Sequence, residues 1–300
     1  MTGWGSTKTT DKVVEKKEVE VEPKTKVSTL PADTFVTKRR KNYIYLLYGN
    51  SGSGKTFSSL TFPKPIIIID TESRADIIKD EMFSTEDIKI FNPLVFPDEI
   101  TEKGEMLDYN KTIKKLVNFL LNLLTEVKKG MKLKTIVFDS ASDLWNLAMN
   151  WGAYKLSDKI TREGKYKADP DTLKFNNQMD WQIPKNMHYK IFQILKNFTV
   201  HGINVVFTAR QKSIPAFVKA AKKKEMGSLY AETFSDKISC QKELPFNSDI
   251  IIRSTLTSDN KRFSIIEKSF RKGTEDKIIE NMSFEKIEEV MKWEEKWKQK

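Results

Sequence analysis

Gly49-Asn50-Ser51-Gly52-Ser53-Gly54-Lys55-Thr56 fits the pattern G-x-x-x-x-G-K-[ST] in full, and its flanks are the ones the pattern needs. Tyr43–Tyr48 before it is an aromatic and aliphatic run of strand type, and Thr56–Leu60 after it can open a helix. In such a loop the glycines let successive backbone N–H groups point inward at phosphate oxygens. The helix start adds its positive dipole end. Lys55 would reach the β- and γ-phosphates, and the Thr56 hydroxyl would ligate magnesium. The expectation is a site for ATP with Mg2+. A Gly/Ser surface turn beside a stray lysine is the bland alternative.

Outward from the loop the pattern is β-α-β. Pro65–Asp70 and Lys134–Asp139 are continuous apolar, β-branched runs that each close on an acid, as buried parallel strands do. Between them Ile113, Leu116, Val117, Leu120, Leu121, Leu124 and Val127 recur at helical spacing, which predicts a helix over 110–129 ended by Gly130. Ile203–Thr208 reads as a fourth strand. Ile250–Thr255 and Arg262–Glu267, joined through Asp259-Asn260, read as an antiparallel pair. The predicted fold class is α/β: a mostly parallel central sheet flanked by helices, with a late antiparallel hairpin and the site at the carboxyl edge. Residues 1–39 alternate Lys, Glu, Thr and Val with few large apolar side chains and read as a flexible charged tail. Residues 40–300 read as one domain that closes with a helix over 283–299.

Composition narrows the partners. Lys and Arg number 52 against 41 Asp and Glu, a net charge of +11, which favours a polyanion, nucleic acid first; lysine-rich bias with solvated charge is the alternative. A single cysteine, Cys240, excludes an internal disulfide, and two isolated histidines are too few for a zinc site. With no apolar run near the roughly 20 residues of a membrane span, and no apolar leader, the chain reads as soluble and cytoplasmic.

Triphosphate hydrolysis needs a magnesium shell and a group that orients water. Asp139 is the candidate for the shell; the competing reading makes it the N-cap of the next helix. Many phosphate-loop enzymes follow this Asp with a Glu that serves as base, but Ser140 stands here. Ile69-Asp70-Thr71-Glu72 offers the base instead, in Glu72, with Asp70 as rival and a solvated loop acid as the plain alternative.

The phosphate loop, the I-D-T-E strand end, Asp139 without a following Glu, and Gln211 past the fourth strand together resemble the RecA/RadA/KaiC class. Within that class the chain is most similar to phage- and virus-encoded RecA-like ATPases of single-strand annealing and recombination. Asp180-Trp181 before a helix and the Ser-Asp-Ile-Ile strand near the end share that group's character, and the resemblance covers roughly 42–273. It implies an ATPase, Glu72 as catalytic glutamate, Asp139 in the magnesium shell, and Gln211 as a γ-phosphate sensor; an ordinary polar loop residue is the alternative for Gln211. Family members carry a K-x-R pair that reaches a neighbouring subunit's ATP. Here Lys268-Ser269-Phe270-Arg271 puts the arginine one position late, on the opposite strand face, which leaves Lys268 as the trans cation unless the hairpin is simply basic. A homo-oligomer, ring or filament, with ATP at the subunit interface is implied, and a single-strand-binding protein is a further partner.

Lys212, Lys219, Lys222, Lys223 and Lys224, interleaved with Phe217 and Tyr230, follow Gln211 where RecA-like proteins contact single-stranded DNA. A second basic loop holds Lys159, Arg162, Lys165, Tyr166 and Lys167. Two solvated loops are the alternative, and Trp145, Trp151 and Trp181 read as core. Two other function classes stay open: an ATP-dependent switch or scaffold with weak turnover, and a helicase or packaging motor.

Overall fold

A strand made wholly of apolar and aromatic residues must be covered on both faces, and Ile44–Gly49 is: all six of its residues are buried at the centre of the sheet. The computed structural model describes residues 42–96, 107–164, 169–170, 172–212 and 237–297. The expected tail over 1–39 lies outside them. So do Lys165–Lys167 and residues 213–236, with Lys219 and Lys222–Lys224.

In chain order the elements are β1 (Ile44–Gly49), α1 (Lys55–Leu60), β2 (Ile66–Asp70), α2 (Ala75–Met82), β3 (Ile88–Phe91), α3 (Tyr109–Lys128), β4 (Thr135–Asp139), α4 (Ala141–Arg162), α5 (Gln178–Val200) and β5 (Asn204–Gln211). Then follow β6 (Ile238–Ser239), α6 (Leu244–Asn247), β7 (Ile250–Leu256), β8 (Arg262–Lys268), β9 (Ile278–Glu280) and α7 (Phe284–Trp297). The strand order is β3-β2-β4-β5-β1-β7-β8-β9, with β6 pairing the end of β5. From β3 to β7 the strands run parallel; β8 and β9 turn back as an antiparallel extension. The fold is the expected mostly parallel α/β sheet with a late hairpin.

Side chains alternate across the strands with period two. Leu46, Tyr48, Ile67, Ile69, Phe138 and Phe207 pack beneath α3, α4 and α5. Tyr45, Leu47, Ile66, Ile68, Val137 and Val206 pack on the other face with residues of α1, α2 and α7. Each buried side chain of this size contributes about 1.5–3 kcal/mol, so the two clusters hold the strands in register.

Helix α3 starts and stops one residue earlier than predicted, because the Asp108 carboxylate caps it by accepting from Lys111 N–H at 2.9 Å. Leu121 is 43% exposed and Leu123 takes its expected place against the sheet. The fourth predicted strand runs on to Gln211, so that residue ends the strand rather than following it. Asp180-Trp181 lies inside the first turn of α5, capped by Asn177, rather than before a helix. The edge strands β3 and β9 and the two-residue β6 carry no pattern long enough to announce them. Among the described residues no helix is long and apolar enough to cross a membrane.

Candidate active site

The loop Gly49–Thr56 joins β1 to α1 at the carboxyl edge of the sheet. Gly49 is required by close approach: a Cβ there would lie 2.0 Å from the Ser254 carbonyl oxygen on β7. Gly54 caps α1 with φ +86, a left-handed conformation that a side chain resists. Lys55 Nζ donates to the Asn50 carbonyl at 2.8 Å, closing the loop on itself. Burial pushes its ammonium below the usual range, while neighbouring Asp139 and Glu72 pull the other way.

Asp139 ends β4 and is 3% exposed. Thr56 Oγ1 donates to its Oδ2 at 2.7 Å, and Thr208 Oγ1 on β5 donates to its Oδ1. Burial drives its carboxyl up to about 6, and the two hydroxyls pull it back only in part. The N-cap of α4 is Ser140, whose Oγ accepts from Asp143 N–H at 3.3 Å. Thr56 and Asp139 together present oxygen donors only, next to the loop, with one carboxylate whose charge lacks solvent. That donor set fits magnesium, which binds through one or two protein oxygens plus phosphate and water.

Register brings the two strand-end acids together: β2 and β4 pair in parallel with Asp70 opposite Asp139. Thr71 staples them, its N–H and Oγ1 both donating to the Asp139 carbonyl at 2.7 and 2.9 Å while Oγ1 accepts from Ser140 N–H. Asp70 accepts the backbone N–H groups of Glu72, Ser73, Arg74 and Ala75 at 2.8–2.9 Å. Its lone pairs are occupied in ordering this turn. Glu72 projects from the turn that Asp70 orders.

Two residues escaped the sequence reading. Arg210, in register with Gly49 across β1 and β5, donates from Nε and Nη2 to Glu72 Oε1 at 3.2 and 3.0 Å, and from Nη2 to Asp143 Oδ2 at 3.0 Å. Its acid partners lie 138 and 67 residues away in sequence, so only strand order reveals the cluster. Burial raises the Asp143 carboxyl, opposed by hydrogen bonding from Ser140 and by the Arg210 charge. Arg262, at the start of β8, donates from Nε to the Gly52 carbonyl at 3.2 Å and packs against Gly54.

Gln211 is exposed beside Arg210, and its backbone pairs with Ile238. Lys212 N–H donates to the Lys237 carbonyl at 2.7 Å. Lys159 and Arg162 lie in the last turn of α4. Lys268 is not brought to the loop. Being on an antiparallel strand, it sits level with Ile251 at the far edge of the sheet, and Nζ donates to the carbonyls of Pro245, Phe246 and Ser248 at 3.0, 2.9 and 2.6 Å. Arg271 Nη1 donates to the Met291 carbonyl. Within its own chain the Lys268 ammonium closes the end of α6. Trp151 is half-buried against the core, Trp145 meets His188 edge-on, and Trp181 is 38% exposed beside Phe175.

No curated protein is significantly similar to the chain. Among solved structures, a KaiC-like protein from the hyperthermophilic archaeon Pyrococcus horikoshii OT3 is similar at 17% identity, covering 79% of this chain and 84% of that one, with a TM-score of 0.39. A family model described as AAA domain matches residues 41–294, a span that takes in the phosphate loop, both strand-end acids and Arg210. This chain belongs to the AAA domain family and is a P-loop ATPase domain built on a mostly parallel α/β sheet.

Proposed function

We propose that the domain binds ATP with magnesium, hydrolyses it, and uses the cycle to time its hold on single-stranded DNA in recombination, replication or repair. The observation that carries the ATPase reading is the contact of Thr56 Oγ1 with Asp139 Oδ2, on the same strand-end edge as Glu72. Lys55 leaves the Asn50 carbonyl for the β- and γ-phosphates. Thr56 and Asp139 would hold magnesium, which when bound would supply positive charge against the phosphate oxygens. Glu72 takes a proton from water as its oxygen attacks the γ-phosphorus. The bond to the β,γ-bridging oxygen breaks, and its electron pair leaves with ADP.

The DNA part rests on charge and connectivity. Lys212, Lys219, Lys222, Lys223 and Lys224 follow directly on the strand that carries Thr208 and Arg210, and the chain as a whole carries +11. Gln211 lies between the two and is our candidate relay of phosphate state. Assembly into a ring or filament and cooperation with a single-strand-binding protein belong to the same reading. The test is ATP turnover with and without single-stranded DNA at low and high salt, for the native chain and Glu72→Gln. DNA-stimulated turnover that falls steeply with salt, and a loss of about 100- to 10,000-fold in Glu72→Gln with ATP binding retained, are expected. ATP binding with negligible turnover in the native chain favours a switch or scaffold. Absence of both turnover and DNA binding at low salt overturns the reading.

A further inference from the structure

Four acids crowd the carboxyl edge of β2 and β4: Asp70, Glu72, Asp139 and Asp143. Asp70 is fixed by backbone N–H groups and Asp139 by two threonine hydroxyls. Asp143 is held by the Ser140 hydroxyl, which donates to its Oδ2 at 2.9 Å. Glu72 differs, because its carboxylate accepts both Nε–H and Nη2–H of the Arg210 guanidinium. Both land on Oε1. That same guanidinium is tethered to Asp143, and its backbone N–H donates to the Ser142 hydroxyl at 2.9 Å.

We propose that Arg210 is the positioning residue for Glu72, an in-chain clamp that holds Oε1 and presents Oε2 to the attacking water. Without the clamp, repulsion from Asp139 and Asp143 turns the glutamate toward solvent, and a carboxylate displaced by about 1 Å loses on the order of 100-fold in rate. Nε and Nη2 are adjacent nitrogens of one rigid plane, so two bonds to a single oxygen fix direction as well as distance. A lysine ammonium restores charge but not direction. Asp143 serves as the anchor that keeps the guanidinium from following Glu72 outward. This inference rests on the reading of Glu72 as the base.

The experiment measures kcat and KM for ATP, together with binding of a fluorescent ATP analogue, in Arg210→Ala, Arg210→Lys, Glu72→Gln and the double variant Arg210→Ala/Glu72→Gln. Expected are a fall in kcat of about 10- to 100-fold in Arg210→Ala with KM within threefold, and partial recovery in Arg210→Lys. Millimolar methylguanidinium added to Arg210→Ala is expected to restore a measurable part of kcat, which a merely structural defect would not allow. The double variant should be no slower than Glu72→Gln alone. Native kcat in Arg210→Ala, no methylguanidinium rescue, or losses that multiply in the double variant overturn the proposal while leaving Glu72 as base. A KM raised tenfold or more with kcat retained makes Arg210 a phosphate ligand and also overturns it. Full activity in Glu72→Gln instead removes the underlying reading, whatever Arg210 does.

Discussion

Asp139→Asn should abolish turnover yet make the nucleotide-free protein more stable. The carboxyl is buried, and its value in the folded chain is about 6 against 3.8 for the free group, with desolvation the largest cause. The folded-state value is the raised one, so the folded state prefers the protonated acid. The penalty of ionisation is absent below about pH 3.8, grows through the window up to about 6, and is complete above it. The difference between the two values corresponds to about 3 kcal/mol at pH 8 and about half of that at pH 5. An amide of the same shape removes the charge, and the Thr56 and Thr208 hydroxyls can each donate or accept. Some of the gain is lost to imperfect pairing, leaving about 1–3 kcal/mol, or some 2–4 °C in Tm per kcal/mol for a chain of this size. The assay is urea and thermal unfolding in EDTA at pH 8 and pH 5. Adding Mg·ATP should reverse the ranking, because only the native chain then gains binding energy. A variant less stable than the native chain at pH 8, or an equal gain at both pH values, would refute the reasoning.

Two further perturbations separate support from chemistry. Gly49→Ala drives a methyl into the Ser254 carbonyl at 2.0 Å and should cost about 3 kcal/mol or more, together with ATP binding, by urea unfolding and nucleotide titration. Lys268→Met strips the donor from three carbonyls and should lower stability by about 1–3 kcal/mol while turnover per folded molecule stays native. Loss of kcat at unchanged stability would instead support Lys268 as the cation acting on a neighbouring subunit's ATP.

The sequence is eloquent where a pattern is long or chemically costly. A loop with three glycines and a lysine, and β-branched runs of five or six residues, leave few alternatives, so β1, β2, β4, β5 and the β7–β8 hairpin were all legible. Strand β3 was not: Ile88-Lys89-Ile90-Phe91 is an edge strand of four residues, with Lys89 exposed, set in an acidic stretch. The different surroundings of Asp70 and Glu72 were not legible in sequence, because both sit at one strand end and differ only in where the following N–H groups point. Arg210 was invisible for another reason. Its meaning depends on β5 lying between β1 and β4, and that order is set by packing across the whole sheet. The intrachain partners of Lys268 were equally hidden, because they are carbonyls, which leave no trace in a sequence.

The position of β1 also bears on how the chain is made. Its sheet partners are Val205–Arg210 and Ile250–Ser254, so the strand that carries the phosphate loop is among the first of the sheet to emerge yet has no sheet partner until β5 follows more than 150 residues later. Synthesis at about 5–20 residues per second leaves it waiting on the order of ten seconds or more. Meanwhile β2, β3 and β4 already have one another. A ribosome-bound chain that ends before residue 204 therefore carries every residue of the loop and no site. Nucleotide can report on completed molecules but cannot guide unfinished ones, and this apolar strand is the segment that a chaperone would have to shield.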